Sequence, residues 1–200
     1  MFTDAIHTYP TAYLALETAS KSMRFAMPSD PQTGALLKAL VGSKPGARVL
    51  ELGTGTGLAT AWLLAGMDAD STLLSIDNEA TYLAVANNFL GHDTRLKLLC
   101  ADAGVWLESP HNQQFDLIFA DAWPGKYANL DAALGTLATG GLYIIDDMLP
   151  QPNWPHGHGN NVDKLVADLE RRDDLHITRL TWSTGILIAT KKTTTGQPTT

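Results

Sequence analysis

Apolar residues in this chain fall into short unbroken runs separated by longer stretches with helical spacing, and the two kinds alternate. Val49, Leu50 and Leu52 form the first run, a strand buried on both faces, followed by a helix over 58–65. A strand over 72–76 ends at Asp77. The next helix, 79–90, draws most of its apolar face from Ala80, Leu83, Val85, Ala86 and Leu90. The alternation continues with a strand at 95–100, a short helix at 103–108, the strand FDLIFA at 115–120 ending at Asp121, and a helix at 130–138. A fifth strand at 141–145 ends at Asp146 and Asp147. A helix at 162–171 and two strands at 175–182 and 185–190, joined by a tight turn, complete the pattern. Five strand–helix units followed by a hairpin predict an α/β fold, with a mostly parallel sheet, helices on both faces and an antiparallel edge strand.

The two ends depart from this rhythm. Residues 1–28 carry Tyr9, Tyr13, Leu14, Leu16 and Phe25, an apolar set that predicts a helical cap segment burying itself on the cleft, on a partner subunit, or on both. Residues 191–200, KKTTTGQPTT, have no apolar anchor and are expected to be a disordered tail on a single domain spanning 1–190.

Composition narrows the class. Two hundred residues with 44 % hydrophobic content can bury roughly 70 % of the unfolded surface in one core. A formal charge of −7 argues against a broad nucleic-acid-binding face, while leaving room for a tRNA held by a small local patch. Cys100 is the only cysteine, so no intrachain disulfide forms and the cytoplasm is the expected compartment. The opening MFTDAIHTYP has neither the basic nor the apolar region of an export signal, and no apolar run approaches membrane-spanning length.

The chemistry concentrates in RVLELGTGTG, residues 48–57, where Gly53, Gly55 and Gly57 turn the first strand into a helix. A carboxylate at the mouth of a pyrophosphate loop would repel the ligand, so Glu51 favours a cationic one. S-adenosylmethionine (SAM), with its ammonium and sulfonium, fits; a dinucleotide or a purely geometric turn are the alternatives. No Tyr-x-x-x-Lys pair supports a hydride-transfer site. Acids recur at the strand ends, where ligands bind in open α/β sheets: Glu51, Asp77, Asp102 and Asp121. Asp77, 20 residues beyond Gly57, suits ribose hydroxyls, and Asp102 suits an adenine amino group or, alternatively, a helix cap.

VLELGTGTGLAT, LLSIDNE, LLCADA, FDLIFADAWPGKY and GGLYIIDDM, in this order, resemble class I SAM-dependent methyltransferases, and more closely the catechol and caffeoyl-CoA O-methyltransferase group with its small bacterial relatives. The resemblance covers about residues 29–191 and implies a Rossmann-like sheet of order 3-2-1-4-5-7-6. It implies that Glu51 with Gly53, Thr54, Gly55 and Gly57 holds the methionine end of SAM, Asp77 with Asn78 the ribose, and Asp102 with Ala103 the adenine. Asp121 would touch both cofactor and acceptor. It further implies O-methylation of a small catechol-like or vicinal-diol acceptor, with a hydroxyuridine tRNA and a SAM-binding role without catalysis as alternatives. By the same likeness the chain would form a homodimer, with residues 27–32 near the cofactor.

The family's metal-dependent members place an Asp after the fourth strand and an Asp-Asn pair after the fifth. Asp121, Asp146 and Asp147 hold those positions here, so an oxygen-seeking ion (Mg²⁺, Mn²⁺ or Ca²⁺) is expected among them, against the plain alternative of a polar strand end. Two departures stand out. Asp147 replaces Asn, and Pro124 replaces the lysine three positions beyond the first Asp. Lys126 either enters the site from a shifted loop as a catalytic group or is an ordinary solvated lysine. The Pro/Gly-rich stretch 148–160 brings Trp154 as a substrate wall, with His156 and His158 as bases or as a loose exposed loop.

Overall fold

The computed structural model describes residues 3–193. Seven strands form one sheet in the order β3-β2-β1-β4-β5-β7-β6. These are β1 Arg48–Leu52, β2 Thr72–Asp77, β3 Leu96–Cys100, β4 Phe115–Ala120, β5 Leu137–Ile145, β6 Leu175–Leu180 and β7 Ile186–Lys191. All pairings are parallel except β5·β7 and β6·β7. Strand order reverses between β1 and β4, whose carboxyl ends open the crevice where a ligand can enter.

Alternate residues of the central strands feed two cores. Val49, Leu73, Leu117, Phe119 and Ile144 face helices α1 Tyr13–Ser22, α2 Pro31–Gly42, α3 Leu58–Gly66 and α4 Ala80–Leu90. Leu50, Leu52, Ile118, Tyr143 and Ile145 face α5 Ala103–Glu108, α6 Leu130–Gly135 and α7 His158–Glu170. Both faces being covered explains why these strands read as continuous apolar runs. No helix among the described residues is long and apolar enough to cross a membrane.

Element order and topology match the sequence expectation, and the differences lie at element ends. The helix expected over 130–138 stops at Gly135, because β5 already begins at Leu137. The β4·β5 register shifts between Phe115↔Leu137 and Leu117↔Leu142, an irregularity that contains Gly140 at φ +73. Helix α7 starts at His158 and not at 162, because Gly157 takes the left-handed conformation at its N-cap and adds a turn. Lys191, assigned to a loose tail, ends β7, pairs with Leu175 of β6 and donates from Nζ to the carbonyls of Leu134 and Leu137. The remainder of that expected tail, 194–200, lies outside the described residues, as do residues 1–2 of the cap segment.

The cap segment is helical only over α1. Tyr13 and Leu16 are buried there, and the Tyr13 ring meets the indole of Trp62 edge-on with centroids 5.6 Å apart. Beyond α1 the chain crosses the open end of the sheet and reaches α2 at Pro31.

Candidate active site

A cleft of about 500 Å³ lies over the carboxyl ends of β1, β2 and β4. Gly53, Thr54, Gly55, Asp77 and Asn78 line one half of it; Asp121, Lys126 and Asp147 line the other. Phe25, Met27 and Ser29 close it from the N-terminal side.

In the first half, the glycine loop approaches β4 so closely that a side chain has no room. A Cβ on Gly53 would stand 2.5 Å from the Asp121 carbonyl oxygen, at a φ of +99. Only glycine fills both conditions. Asp77 reaches back into this loop: its Oδ2 accepts from the Gly55 backbone N–H at 2.8 Å and its Oδ1 from the Glu79 N–H at 2.9 Å. The carboxylate is therefore oriented at the cleft edge by neutral backbone donors.

Glu51 is not where the sequence suggested. It is fully buried beneath the loop and does not line the cleft. Its Oε2 accepts from Thr60 Oγ1 at 2.6 Å and from Ser75 Oγ, and Ser75 shares a 2.6 Å hydrogen bond with Thr54 Oγ1. Burial pushes the carboxyl up to about 7, against the hydrogen bonds from Ser75 and Thr60, which pull it down. Oε1 has no partner among the described residues. Glu51 thus ties β1 to β2, α3 and, through Ser75, to Thr54 of the loop. The contact with a cationic ligand inferred from the sequence has no geometric basis here.

Asp102 and Ala103 also stand outside the cleft lining. Asp102 caps α5, its carboxylate accepting from the Val105 N–H at 2.9 Å, and Ala103 is buried in the second core. Gly57 is the left-handed N-cap of α3 and serves helix entry, while its neighbours Thr56 and Leu58 reach the cleft. Thr56 is anchored to α1 by a 2.6 Å hydrogen bond with Ser20.

The second half is built differently. Lys126 is only 6 % exposed, with Nζ 3.9 Å from Asp121 Oδ1. This decides the open question about its loop. Pro124 and Gly125 begin a turn in which the N–H groups of Lys126, Tyr127 and Ala128 all point to the Trp123 carbonyl. Gly125, at φ +87, presses against Leu52 and accepts from the buried Tyr143 hydroxyl at 2.6 Å. The turn doubles back and returns Lys126 to the cleft, although it lies two positions later than the resembled family places its lysine.

Asp121 is pushed well above the ordinary carboxylate range by burial and by Asp146, with Lys126 acting the other way. Asp146 is raised to about 6 by burial and Asp147. Burial likewise raises Asp147, which Lys126 opposes. Lys126 therefore acts electrostatically on all three acids. Asp147 sits at φ +58, a left-handed position that Asn and Asp both tolerate, which accounts physically for the exchange between them.

The expected metal site is not formed. Among the described residues, no group of three or more acid, His or Cys side chains converges to hold an ion. Asp146 Oδ1 accepts from Thr184 Oγ1, from the Asp147 N–H at 2.8 Å and, at 3.5 Å, from Thr33 Oγ1. Asp121 Oδ2 accepts from Ser29 at 3.2 Å, while its Oδ1 faces the lysine. These residues do not fit a divalent ion, and the Lys126 ammonium stands beside one of them, Asp121.

Aromatic rings complete the acceptor half. Tyr127 Oη and His158 Nε2 are 3.1 Å apart, and the His158 ring lies 4.7 Å from Trp154 and 5.7 Å from Trp123. His158 is therefore pinned at the start of α7 and is not part of a loose loop, whereas His156 is exposed. Burial, then the Lys126 charge, lowers its pKa. Burial and the charges of Asp147 and Asp121 push the Tyr127 phenol up to about 12. Trp123 and Tyr82 were not singled out from the sequence. Trp123 lies inside DAWPGKY, where its place beside the strand-end acid was a usable signal. Tyr82 enters the cleft only because α4 docks beside Phe25, 4.8 Å away, and no sequence pattern marks that.

Comparison with known proteins agrees with this architecture. Residues 50–148 match the family model described as a methyltransferase domain. A Mycobacterium ulcerans protein named "Putative O-methyltransferase" is 37 % identical over 120 residues, covering 58 % of this chain and 54 % of that protein. A Mycobacterium avium protein of the same name is 36 % identical over 98 residues, covering 47 % and 44 %. The chain thus spans about half the length of the curated relatives it matches. Among solved structures, a Klebsiella pneumoniae protein titled as a putative O-methyltransferase superposes with TM-score 0.79 at 28 % identity, covering 94 % of this chain and 92 % of that one. A Bacillus cereus O-methyltransferase solved with SAH superposes with TM-score 0.79 at 20 % identity, covering 94 % of each chain. In fold and over the matched domain the chain is similar to methyltransferases, in line with the resemblance that the sequence motifs carry.

Proposed function

We propose that this chain is a SAM-dependent O-methyltransferase acting on a small, flat, hydroxylated acceptor. The observation that carries the reading is the continuity of the cleft. It runs from the glycine loop and Asp77 to the Asp121–Lys126 pair, with Trp123, Tyr127 and Trp154 as walls. SAM, when bound, supplies an electrophilic methyl group for in-line displacement. The Gly53–Gly55 backbone and Asp77 would orient it, and Phe25 and Met27 would shield it from water. The Asp121–Lys126 pair would receive the acceptor hydroxyl. Asp121, a buried carboxylate with raised basicity, takes the hydroxyl proton as the oxygen forms its bond to the methyl and the methyl–sulfur bond breaks; the ammonium of Lys126 steadies the developing oxyanion.

The walls support this acceptor class: indole and phenol rings stack on a flat ring. The homodimer expected from the resemblance belongs to this proposal, supported by the exposed Leu14 and Met23 on and just after α1. Calorimetry with SAH and NAD tests the cofactor assignment. Micromolar SAH binding without NAD binding is expected, and the reverse would overturn it.

A further inference from the structure

Resting on the methyltransferase reading, we propose that the Lys126 ammonium takes the place of a divalent cation, so that the acceptor's hydroxyl is held by a side-chain cation and the site excludes the metal. The juxtaposition is specific. One lysine, 6 % exposed, stands beside Asp121 at 3.9 Å, and its charge also acts on Asp146 and Asp147. Its Nζ makes an ion pair to Asp121 at 3.9 Å and, among the described residues, no hydrogen bond. An ammonium carries three donors, so those left unused face the cleft, where an acceptor oxygen would arrive.

Asp146 Oδ1 and both Asp121 oxygens are already engaged by other groups, and no three acid, His or Cys side chains among the described residues converge to hold an ion. A hard divalent ion needs several oxygens converging at about 2.0–2.6 Å, with near-octahedral order for Mg²⁺. Asp146 has given its Oδ1 to Thr184, to Thr33 and to the Asp147 backbone, which binds β5 to the β6–β7 turn and to α2. Asp121 keeps one oxygen for Ser29 and one for the lysine. A divalent ion entering this space would also meet the fixed charge of Lys126 with little water to screen it. The Pro124–Gly125 turn explains how the lysine comes to occupy the position, since Gly125 is locked by Leu52 and by the Tyr143 hydroxyl.

Electron paramagnetic resonance of free Mn²⁺, titrated into the full chain without any other ligand, reads this out independently of activity. The wild-type chain is expected to leave the Mn²⁺ signal unchanged into the millimolar range. Lys126→Ala and Lys126→Gln are expected to bind Mn²⁺ at least about tenfold more tightly, because removing the ammonium frees the acids. Lys126→Arg should stay metal-free, and adding Asp121→Asn to Lys126→Ala should abolish the gain. Mn²⁺ binding by the wild type that Asp146→Ala removes would overturn the proposal. So would a folded Lys126→Ala and Lys126→Gln pair that gains no Mn²⁺. SAH calorimetry on the same samples keeps the two readings apart: no SAH binding refutes the methyltransferase assignment, while the Mn²⁺ titration judges the cation alone.

Discussion

The two halves of the cleft keep their acids by different physical means. Under and beside the glycine loop, Glu51 Oε2 and the Asp77 carboxylate accept from neutral donors: Thr60, Ser75 and the N–H groups of Gly55 and Glu79. Across the crevice, Asp121 and Asp147 share the influence of one ammonium, and Asp146 is anchored by hydroxyls and a backbone N–H. Neutral donors fix an acid in place without creating a charge that a ligand must meet. A buried ammonium among acids instead creates a site that orients an incoming oxygen. The first half is therefore a rigid frame and the second a reactive pocket.

Gly53 is where the halves touch, and its replacement should damage both. Gly53→Ala forces a Cβ against the Asp121 carbonyl oxygen at 2.5 Å and strains a φ of +99. Affinity for SAH should fall by about 1,000-fold, roughly 4 kcal/mol, measured by calorimetry. A loss under tenfold would mean that the loop is more pliable than the close approach implies.

Glu51 tests the frame by itself. Its carboxyl titrates near 7 in the fold against an ordinary 4.5, so the folded chain keeps a proton that the unfolded chain has released. Its stabilising contribution is complete below about 4.5, declines as pH rises towards 7, and is level above that. Glu51→Gln should remove about 3 kcal/mol of that decline, seen as a flatter dependence of urea midpoints on pH between those limits. Asp121 and Asp146 slope the same way, so the comparison of variant with wild type isolates Glu51. An unchanged slope would place Glu51 in contact with water or ligand.

Lys126→Met separates the halves in the other direction. Turnover should drop by about 100-fold while SAH affinity stays within about twofold, because the lysine serves the acceptor and not the cofactor frame. Equal losses in both would show that the lysine holds the cleft together. The smallest effect belongs to Asp102. Asp102→Ala should cost about 1 kcal/mol of stability through the lost α5 cap and leave SAH affinity unchanged. Weaker SAH binding would restore the adenine contact that the sequence suggested.

How legible these features were follows the same division. The alternation of strands and helices, the glycine loop and the strand-end acids rest on periodicity and turn chemistry, which are local, and they appear where the pattern placed them, while the strand order came from the family resemblance. Glu51 was misplaced because sequence spacing gives a residue's position along a strand and not which face of the sheet receives it. The burial of Lys126 was undecidable because it depends on Gly125 closing onto Leu52 and Tyr143, residues far apart in the chain. The β5 irregularity and the early start of α7 were missed for a similar reason, since a register shift and a left-handed Gly157 are settled by tertiary pairing.

The central claim is methyl transfer to a hydroxyl held at the Asp121–Lys126 end of the cleft. Incubation of the full chain with methyl-labelled SAM and a panel of acceptors, in excess EDTA, addresses it directly. Catechol-type phenols, aliphatic vicinal diols and a hydroxyuridine tRNA would form the panel. The account predicts label on the oxygen of a flat phenolic acceptor without added metal, and its loss in Lys126→Met. Transfer that appears only when Mg²⁺ is restored, or no transfer to any acceptor by a chain that binds SAH, would contradict it.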